Sequence, residues 1–281
     1  MDHEELFKAA SHLTGADRPA GLVCDEPGHP GGHTCLPVSA GVDADDLVKA
    51  FTGRFSAPRT RSHGLPPLPV AEQNEWTHAW TWASRAIALG RGANGRPVLA
   101  VTERNMPGPD ELPADMPWVD RLAAITGGPS SPPPPPDWAA VESRLGTPLP
   151  SDYRRLVEVF GCDGRFDVFF RVCDPDELID RWQDYAGDDP AAGGLPGFPL
   201  PGGLIPWSDN EHHETFFWIT DGPDPDRWPV YAVNETDEGT RFECTATEFL
   251  FRQMTDPECP FYSAAEYFTG HWFMQFIRPA S

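Results

Sequence analysis

The sequence lacks the patterns that mark membrane, secreted and disulfide-bonded proteins. No apolar run approaches the ~18 residues that a membrane-spanning helix needs. The first residues, Met1 to Glu5, contain neither a basic region nor an apolar core, so we expect no signal peptide. The six cysteines form no C-x-x-C pair, and free thiols are expected in a reducing compartment. With few lysines and 33 prolines, the composition is typical of a GC-rich genome, and we expect a cytoplasmic bacterial protein with no membrane partner.

Motifs of common enzyme classes are also missing. The chain has no G-x-S-x-G nucleophile motif and no G-x-x-x-x-G-K phosphate loop. Residues Gly90 to Gly95 have the G-x-G-x-x-G spacing, but they lead into a predicted strand, whereas phosphate binding uses the amides of a helix N-terminus. We therefore predict a protein that is not an enzyme and that needs no cofactor.

Negative charge dominates the chain, and it is distributed unequally. Residues 1–131 carry 11 basic and 16 acidic side chains, whereas residues 132–281 carry 10 basic and 27 acidic ones. A region with a net charge of −17 repels phosphates, so no nucleic acid partner is expected. The same charge attracts a basic protein. The alternative is that the acidity only keeps the protein soluble.

A Gly/Pro/Ser-rich segment, residues 127–136, predicts the boundary between two domains. Its five consecutive prolines favour an extended spacer. Residues 1–126 are predicted to form a smaller α+β domain of unknown role. Helical spacing and turn signals predict its helices and strands at Glu4–Leu13, Asp43–Phe55, Glu75–Leu89, Pro97–Glu103 and Met116–Ile125. Alternation along the first strand places Trp76, His78, Trp80 and Trp82 on one face, interpreted as a packed aromatic face.

The most informative stretch runs from Asp137 to Phe170. Trp138, Val141 and Leu145 have helical spacing, and Gly146 followed by Pro148 ends that helix. A second helix begins near Ser151 or Asp152, buries Tyr153, Leu156, Val157 and Phe160, and ends at Gly161. Residues 166–172 then follow as a predicted strand. The landmarks take the order W-x-x-x-E-x-x-L-G-x-x-L-P-x-D-Y.

This order resembles the opening of the SUKH superfamily, the Smi/Knr cell-wall-assembly-regulator-like proteins. Later segments extend the resemblance to about residue 276: Leu204–Trp207, Phe216–Trp218, Arg227–Val233 and Thr247–Leu250. The resemblance implies an α+β fold in which residues 137–281 form a SUKH-like domain, with a central, mostly antiparallel sheet flanked by helices. It also implies that Trp138, Tyr153, Trp207, Trp218 and Trp228 are mostly buried.

Members of this superfamily are associated with immunity against toxins, especially nucleases, which are basic because their substrates are polyanions. The resemblance and the charge together predict a non-catalytic immunity-type protein that neutralises a basic toxin through an acidic surface. Candidate partner-binding residues are the acids of two predicted loops: Asp209, Glu211, Glu214, Asp221, Asp224 and Asp226. An intracellular regulatory scaffold of the Smi/Knr type is the alternative.

Two histidine-containing segments leave a metal-dependent enzyme open as a further alternative. Cys24, His29, His33 and Cys35 are ligand types that suit zinc, but their spacing matches no zinc module, and a polar loop is the simpler interpretation. His212 and His213 are adjacent, whereas two histidines that share a metal on a helix are four residues apart. We predict a solvated hairpin loop there.

Overall fold

The computed structural model describes residues 1–281 except 16–20, 64, 66–69, 71–73, 132, 262 and 277–281. The chain divides into two compact units. The first contains Met1–Gly108, Ala124–Ser131 and Tyr267–Ser281, and the second contains Pro109–Ala123 and Pro132–Glu266. The sequence predicts two contiguous domains instead, separated by residues 127–136, of which Pro132 lies outside the described residues. Each unit is therefore built from more than one stretch of the chain.

The described residues form helices and strands in both units. The helices are α1 His3–Leu13, α2 Ala44–Phe55, α3 Trp118–Thr126, α4 Trp138–Leu145, α5 Ser151–Phe160, α6 Pro175–Gln183 and α7 Ala246–Thr255. The strands are β1 His33–Leu36, β2 Arg59–Thr60, β3 Glu75–Trp82, β4 Arg85–Arg91, β5 Pro97–Glu103, β6 Gly164–Phe166, β7 Phe170–Val172, β8 Leu204–Asn210, β9 Thr215–Ile219, β10 Val230–Val233, β11 Gly239–Phe242 and β12 Phe273–Gln275. Among these helices, none has the length and the apolar character that crossing a membrane requires.

The first unit is an antiparallel sheet in the order β1-β5-β4-β3-β2 that packs against α1 and α2. Asp2 caps α1 through a reciprocal capping box with Glu5, and Asp43 caps α2, so each helix begins where its orphan amides find an acceptor. The apolar faces of both helices meet one face of the sheet in a core that includes Leu6, Phe51, Phe55, Trp80, Ile87 and Val101.

The predicted aromatic face of the first unit is wrong at Trp76. A bulge between Trp76 and His78 shifts the register of β3 against β4, so Trp76 packs with Ala88 and Ala100 on the opposite face from Trp80. The predicted strand Glu75–Leu89 is also two strands. The chain reverses at Ala83, whose φ of 49° lies in the left-handed region, and β3 and β4 pair as a hairpin.

The second unit is an antiparallel sheet with helices against it. Its strands pair in the order β11-β10-β9-β8-β7-β6. Alternation sends Phe216 and Trp218 to the face covered by Tyr153 of α5 and Phe249 of α7. Phe217 and Ile219 point to the other face, where they pack with Ala192 and with Tyr231 and Val233 of β10. The α+β class with a mainly antiparallel C-terminal sheet is confirmed.

Two of the opening landmarks, Gly146 and Asp152, fix how the helices of the second unit end and meet. Gly146 ends α4 in the left-handed conformation, with a φ of 81° that an L side chain rarely adopts. Asp152 joins two helices, because its Oδ2 accepts hydrogen bonds from the amide and the hydroxyl of Thr247 at the start of α7, at 2.9 and 3.0 Å. The single strand predicted at 166–172 is two short strands, β6 and β7, because positive φ angles at Asp167 and Val168 turn the chain between them.

The prediction that the five aromatic landmarks are mostly buried is confirmed. Tyr153, Trp207, Trp218 and Trp228 are buried. Trp138 is half-buried: its indole N–H donates to Glu158 and the Arg154 guanidinium lies 5.5 Å from its ring centroid. Trp138 therefore covers the edge of the core.

We expect Trp218→Ala to lower the free energy of unfolding by about 3–5 kcal/mol, because a fully buried indole leaves a cavity in the core. Trp138→Ala is the matched control and should cost clearly less, since its ring is already partly hydrated. Denaturant titrations followed by circular dichroism measure both. Equal losses from the two variants would contradict the assignment of Trp218 to the centre of this core.

Candidate functional site

Two acidic turns lie side by side at one end of the second unit's sheet. The first joins β8 to β9, and the second joins β10 to β11. Thr215 at the start of β9 pairs with Val233 at the end of β10, so both turns leave the sheet at the same end. We call residues 210–215 and 234–239 together the turn end of the sheet.

The two turns have the same sequence pattern and the same hydrogen bonds. Residues 210–214 are N-E-H-H-E and residues 234–238 are N-E-T-D-E. Asn210 Oδ1 accepts from the amides of residues 212 and 214 at 3.0 and 3.1 Å. Asn234 Oδ1 accepts from the amides of residues 236 and 238 at 3.0 and 2.9 Å. Each asparagine also donates through Nδ2 to the glutamate four positions on. Both turns are thus pinned by an Asx-type hydrogen-bond network.

The fourth residue of each turn has the same backbone conformation. His213 has a φ of 59° and Asp237 a φ of 62°, both in the left-handed region. The Asp237 carboxylate also accepts a hydrogen bond from the amide of Gly193 at 2.7 Å, which ties the second turn to the segment before β8. The shared geometry therefore extends from the side chains to the backbone.

These turns present five carboxylates: Glu211, Glu214, Glu235, Asp237 and Glu238. Four of them are exposed and Glu214 is half-buried. Glu211 forms an ion pair with Arg165 at 2.6 Å. A cleft of about 550 Å³ lies beside the turns, where Glu235 and Asp237 face a wall that includes Tyr185, Ala191 and Ala192. The two turns therefore form an acidic surface on a hydrogen-bonded backbone, and two of the five carboxylates, Glu235 and Asp237, line the cleft.

The sequence-based candidates include Glu211 and Glu214 but miss the second turn. Glu235, Asp237 and Glu238 were not among the predicted residues, although the repeat of N-E-x-x-E at 210 and 234 is visible in the sequence. Only the strand order shows that the two copies are neighbours in space.

Asp209 is half-buried and is engaged by side chains of its own unit. Its carboxylate contacts Arg171 and Arg181, each at 2.6 Å, and its side chain is 21% exposed. The hydrogen bonds that Arg171 donates to the Asp209 carboxylate raise the pKa of the Arg171 guanidinium, which also pairs with Glu177. The network joins β7, β8 and α6, so the structure gives Asp209 an internal partner set.

The remaining candidates lie at the opposite end of β9 and contact other parts of the second unit. Asp221 pairs with Arg241 at 3.3 Å. Asp224 accepts from the amide of Asp226 and caps a short 3-10 helix. The Asp226 carboxylate accepts from the amide of Ser151 at the start of α5, at 2.6 Å. The predicted acids therefore lie in three places: Asp209 in its internal network, Glu211 and Glu214 at the turn end, and Asp221, Asp224 and Asp226 at the opposite end.

The structure separates the two histidine-containing segments: one is an exposed turn and the other brings its side chains together. His212 and His213 are exposed in the hairpin turn, as predicted. The first unit brings the four side chains of the other segment together: one ligand atom each from Cys24, His29, His33 and Cys35 lies within 4.8 Å of the others. The spacing in the sequence does not indicate this convergence.

A comparison with known families finds a match within the second unit. Residues 132–252 match the SMI1 / KNR4 family (SUKH-1), whereas the resemblance found in the sequence extends further, to about residue 276. A search of curated proteins and a search of solved structures each returned no significant match. The matched region contains α4 to α7 and β6 to β11 almost entirely, including both acidic turns. Residues 132–252 of this chain therefore belong to the SMI1 / KNR4 family (SUKH-1).

Proposed function

We propose that this chain is a non-catalytic, immunity-type protein that binds and neutralises a basic toxin through the turn end of its SUKH-1 sheet. The observation that carries the proposal is the pair of identically built acidic turns. A partner whose own substrate is a polyanion needs a cationic groove, and an ordered array of carboxylates is complementary to such a groove.

The electrostatics of the family domain support the choice of a basic partner. Residues 132–252 contain 24 acidic and 9 basic side chains, a net charge of −15. A field of that sign steers a cationic protein towards the surface and can raise its association rate by about 10- to 1,000-fold. Nucleic acid and anionic surfaces are repelled by the same field.

Pre-organisation supports the choice of the turn end over the opposite end. At the opposite end, Asp221 and Asp226 are exposed as well, with Asp226 accepting from a helix amide and Asp221 paired with Arg241. At the turn end, Glu211 is paired with Arg165 and Glu238 accepts from Asn234, and this end differs in the asparagine-held backbone that carries the exposed Glu235. Ordered side chains lose less entropy on binding, which favours affinity.

An intracellular regulatory scaffold of the Smi/Knr type is the second candidate function, because the same family includes such regulators. The two candidates differ in the effect on a partner. An immunity-type protein abolishes the toxicity of the protein that it captures, whereas a scaffold leaves its partner active. Affinity capture from a lysate of the native cells, followed by co-expression of the captured protein, separates them by growth.

We expect the triple variant Glu211→Gln, Glu214→Gln and Glu235→Gln to associate more slowly with the captured partner, by about 10-fold or more at low salt. The matched control is Asp115→Asn, Glu258→Gln and Glu266→Gln, which removes the same charge from exposed sites elsewhere. Stopped-flow association at about 0.01 M and 0.15 M salt measures the effect, because screening shortens the Debye length from about 30 to 8 Å. Equal rates for the two variants would show that only net charge matters.

Asp209→Asn tests the reverse case, in which stability changes and association with the partner does not. We expect it to lower the free energy of unfolding by about 1–3 kcal/mol, because Arg171 and Arg181 lose the carboxylate that they share in a half-buried site. Its association rate with the partner should match that of the unmodified protein. A large loss of association rate without loss of stability would instead place Asp209 in the docking surface.

A further inference from the structure

Four side chains of the first unit converge around one point near β1. Cys24 and His29 come from the segment before the strand, and His33 and Cys35 lie on the strand itself. Positions two apart on a strand point to the same face, which explains why His33 and Cys35 meet. Positive φ angles at Gly28 and Gly32, of 82° and 79°, allow the preceding segment to fold back towards them.

Hydrogen bonding does not account for this convergence. Three heavy atoms surround the Nδ1 of His29: Cys24 Sγ at 3.4 Å, His33 Nε2 at 3.3 Å and Cys35 Sγ at 3.4 Å. A ring nitrogen of histidine makes one hydrogen bond, either as donor or as acceptor. At most one of these three contacts is therefore a hydrogen bond.

The distances match the edges of a metal-centred tetrahedron. With a Zn–N bond of about 2.05 Å and a Zn–S bond of about 2.3 Å, tetrahedral geometry places two nitrogens about 3.3 Å apart, and a nitrogen about 3.6 Å from a sulfur. The observed separations from His29 Nδ1 are 3.3 Å to nitrogen and 3.4 Å to each sulfur. These three edges fit the tetrahedron, and all four ligand atoms lie within 4.8 Å of one another, which is compact enough to surround one ion.

We propose that Cys24, His29, His33 and Cys35 bind one structural zinc ion. Two thiolates and two imidazoles form a set that Zn²⁺ prefers, and they complete its four-coordinate shell. A full protein shell leaves no open position for water or substrate, so the ion has no catalytic role. The site uses ligands of the first unit only and is independent of the function proposed for the second unit.

A zinc ion at this site would stabilise the segment that precedes β1. Residues 21–32 contain neither helix nor strand, and β1 is a four-residue edge strand paired with β5 alone. Among the described residues, the amide of Leu22 donates to Glu103 Oε1 at 3.1 Å, and the carbonyl of Gly32 accepts from the amide of Glu103 at 2.8 Å. An ion that joins Cys24 and His29 to β1 closes the segment onto the edge of the sheet and adds its binding free energy to folding.

The test uses the full-length protein purified without a histidine tag and without chelator. Elemental analysis should find one zinc ion per chain. Cobalt exchanged into the site should give the intense visible bands of tetrahedral Co²⁺ and a thiolate-to-cobalt charge-transfer band. Removal of zinc by a strong chelator should lower the midpoint of thermal unfolding, and added Zn²⁺ should restore it.

Cys24→Ser is the diagnostic variant and Cys259→Ser is its matched control. Cys24→Ser should bind zinc at least about 10- to 100-fold more weakly, because changes outside the ligand shell already cost that much. Its charge-transfer intensity per bound Co²⁺ should fall by about half, since one of two thiolates is removed. Cys259 is outside the site, and its sulfur accepts from Gln253 at 2.9 Å, so the control should retain zinc and both bands.

A zinc content near zero, together with no tetrahedral cobalt spectrum in the unmodified protein, would overturn the proposal. The same is true if both serine variants lose zinc equally, because binding would then not depend on these ligands. If Cys24→Ser does not fold, the cobalt spectrum and the chelator response of the unmodified protein still decide the question. None of these outcomes depends on the identity of a partner of the second unit.

Discussion

The packing of Trp207 against Trp218 is the contact on which the second unit depends. Their rings lie 5.8 Å apart in a stacked arrangement, and Tyr153 and Phe249 close on them edge-on at 5.1 and 6.4 Å. Because one tryptophan is on β8 and the other on β9, this cluster fixes two central strands against α5 and α7. Fixed strands in turn determine where the two acidic turns leave the sheet.

The proposed function depends on an ordered backbone at the turn end of the sheet. Asn210 and Asn234 repeat the same hydrogen bonds, so the carboxylates beside them stand on a backbone that is ordered before a partner arrives. Pre-ordered charges give association speed and specificity at a small entropic cost. In the first unit, residues 21–32 have no helix or strand. The zinc ion proposed at Cys24, His29, His33 and Cys35 would cross-link this segment to β1.

Local sequence signals predict where most helices begin and end. They do not predict which strands pair, because that depends on residues far apart in the sequence. The spacing of apolar residues predicts α4 and α5. Gly146 predicts the end of α4, and Gly161 predicts the end of α5. The bulge at Trp76 and the turn at Ala83 have no such local signal, since neither position carries glycine. The candidate site shows the same limit: Glu211 belongs to a turn visible in the sequence, but its neighbour Glu235 is near only because β9 pairs with β10.

Hydrogen exchange on the complex with the captured partner tests the central claim most directly. The account predicts that binding slows exchange in the backbone amides of residues 210–215 and 234–239, and that the amides of residues 221–227 at the opposite end of β9 exchange as in the free protein. Protection confined to residues 221–227 or to the first unit would contradict the assignment of the docking surface to the turn end of the sheet.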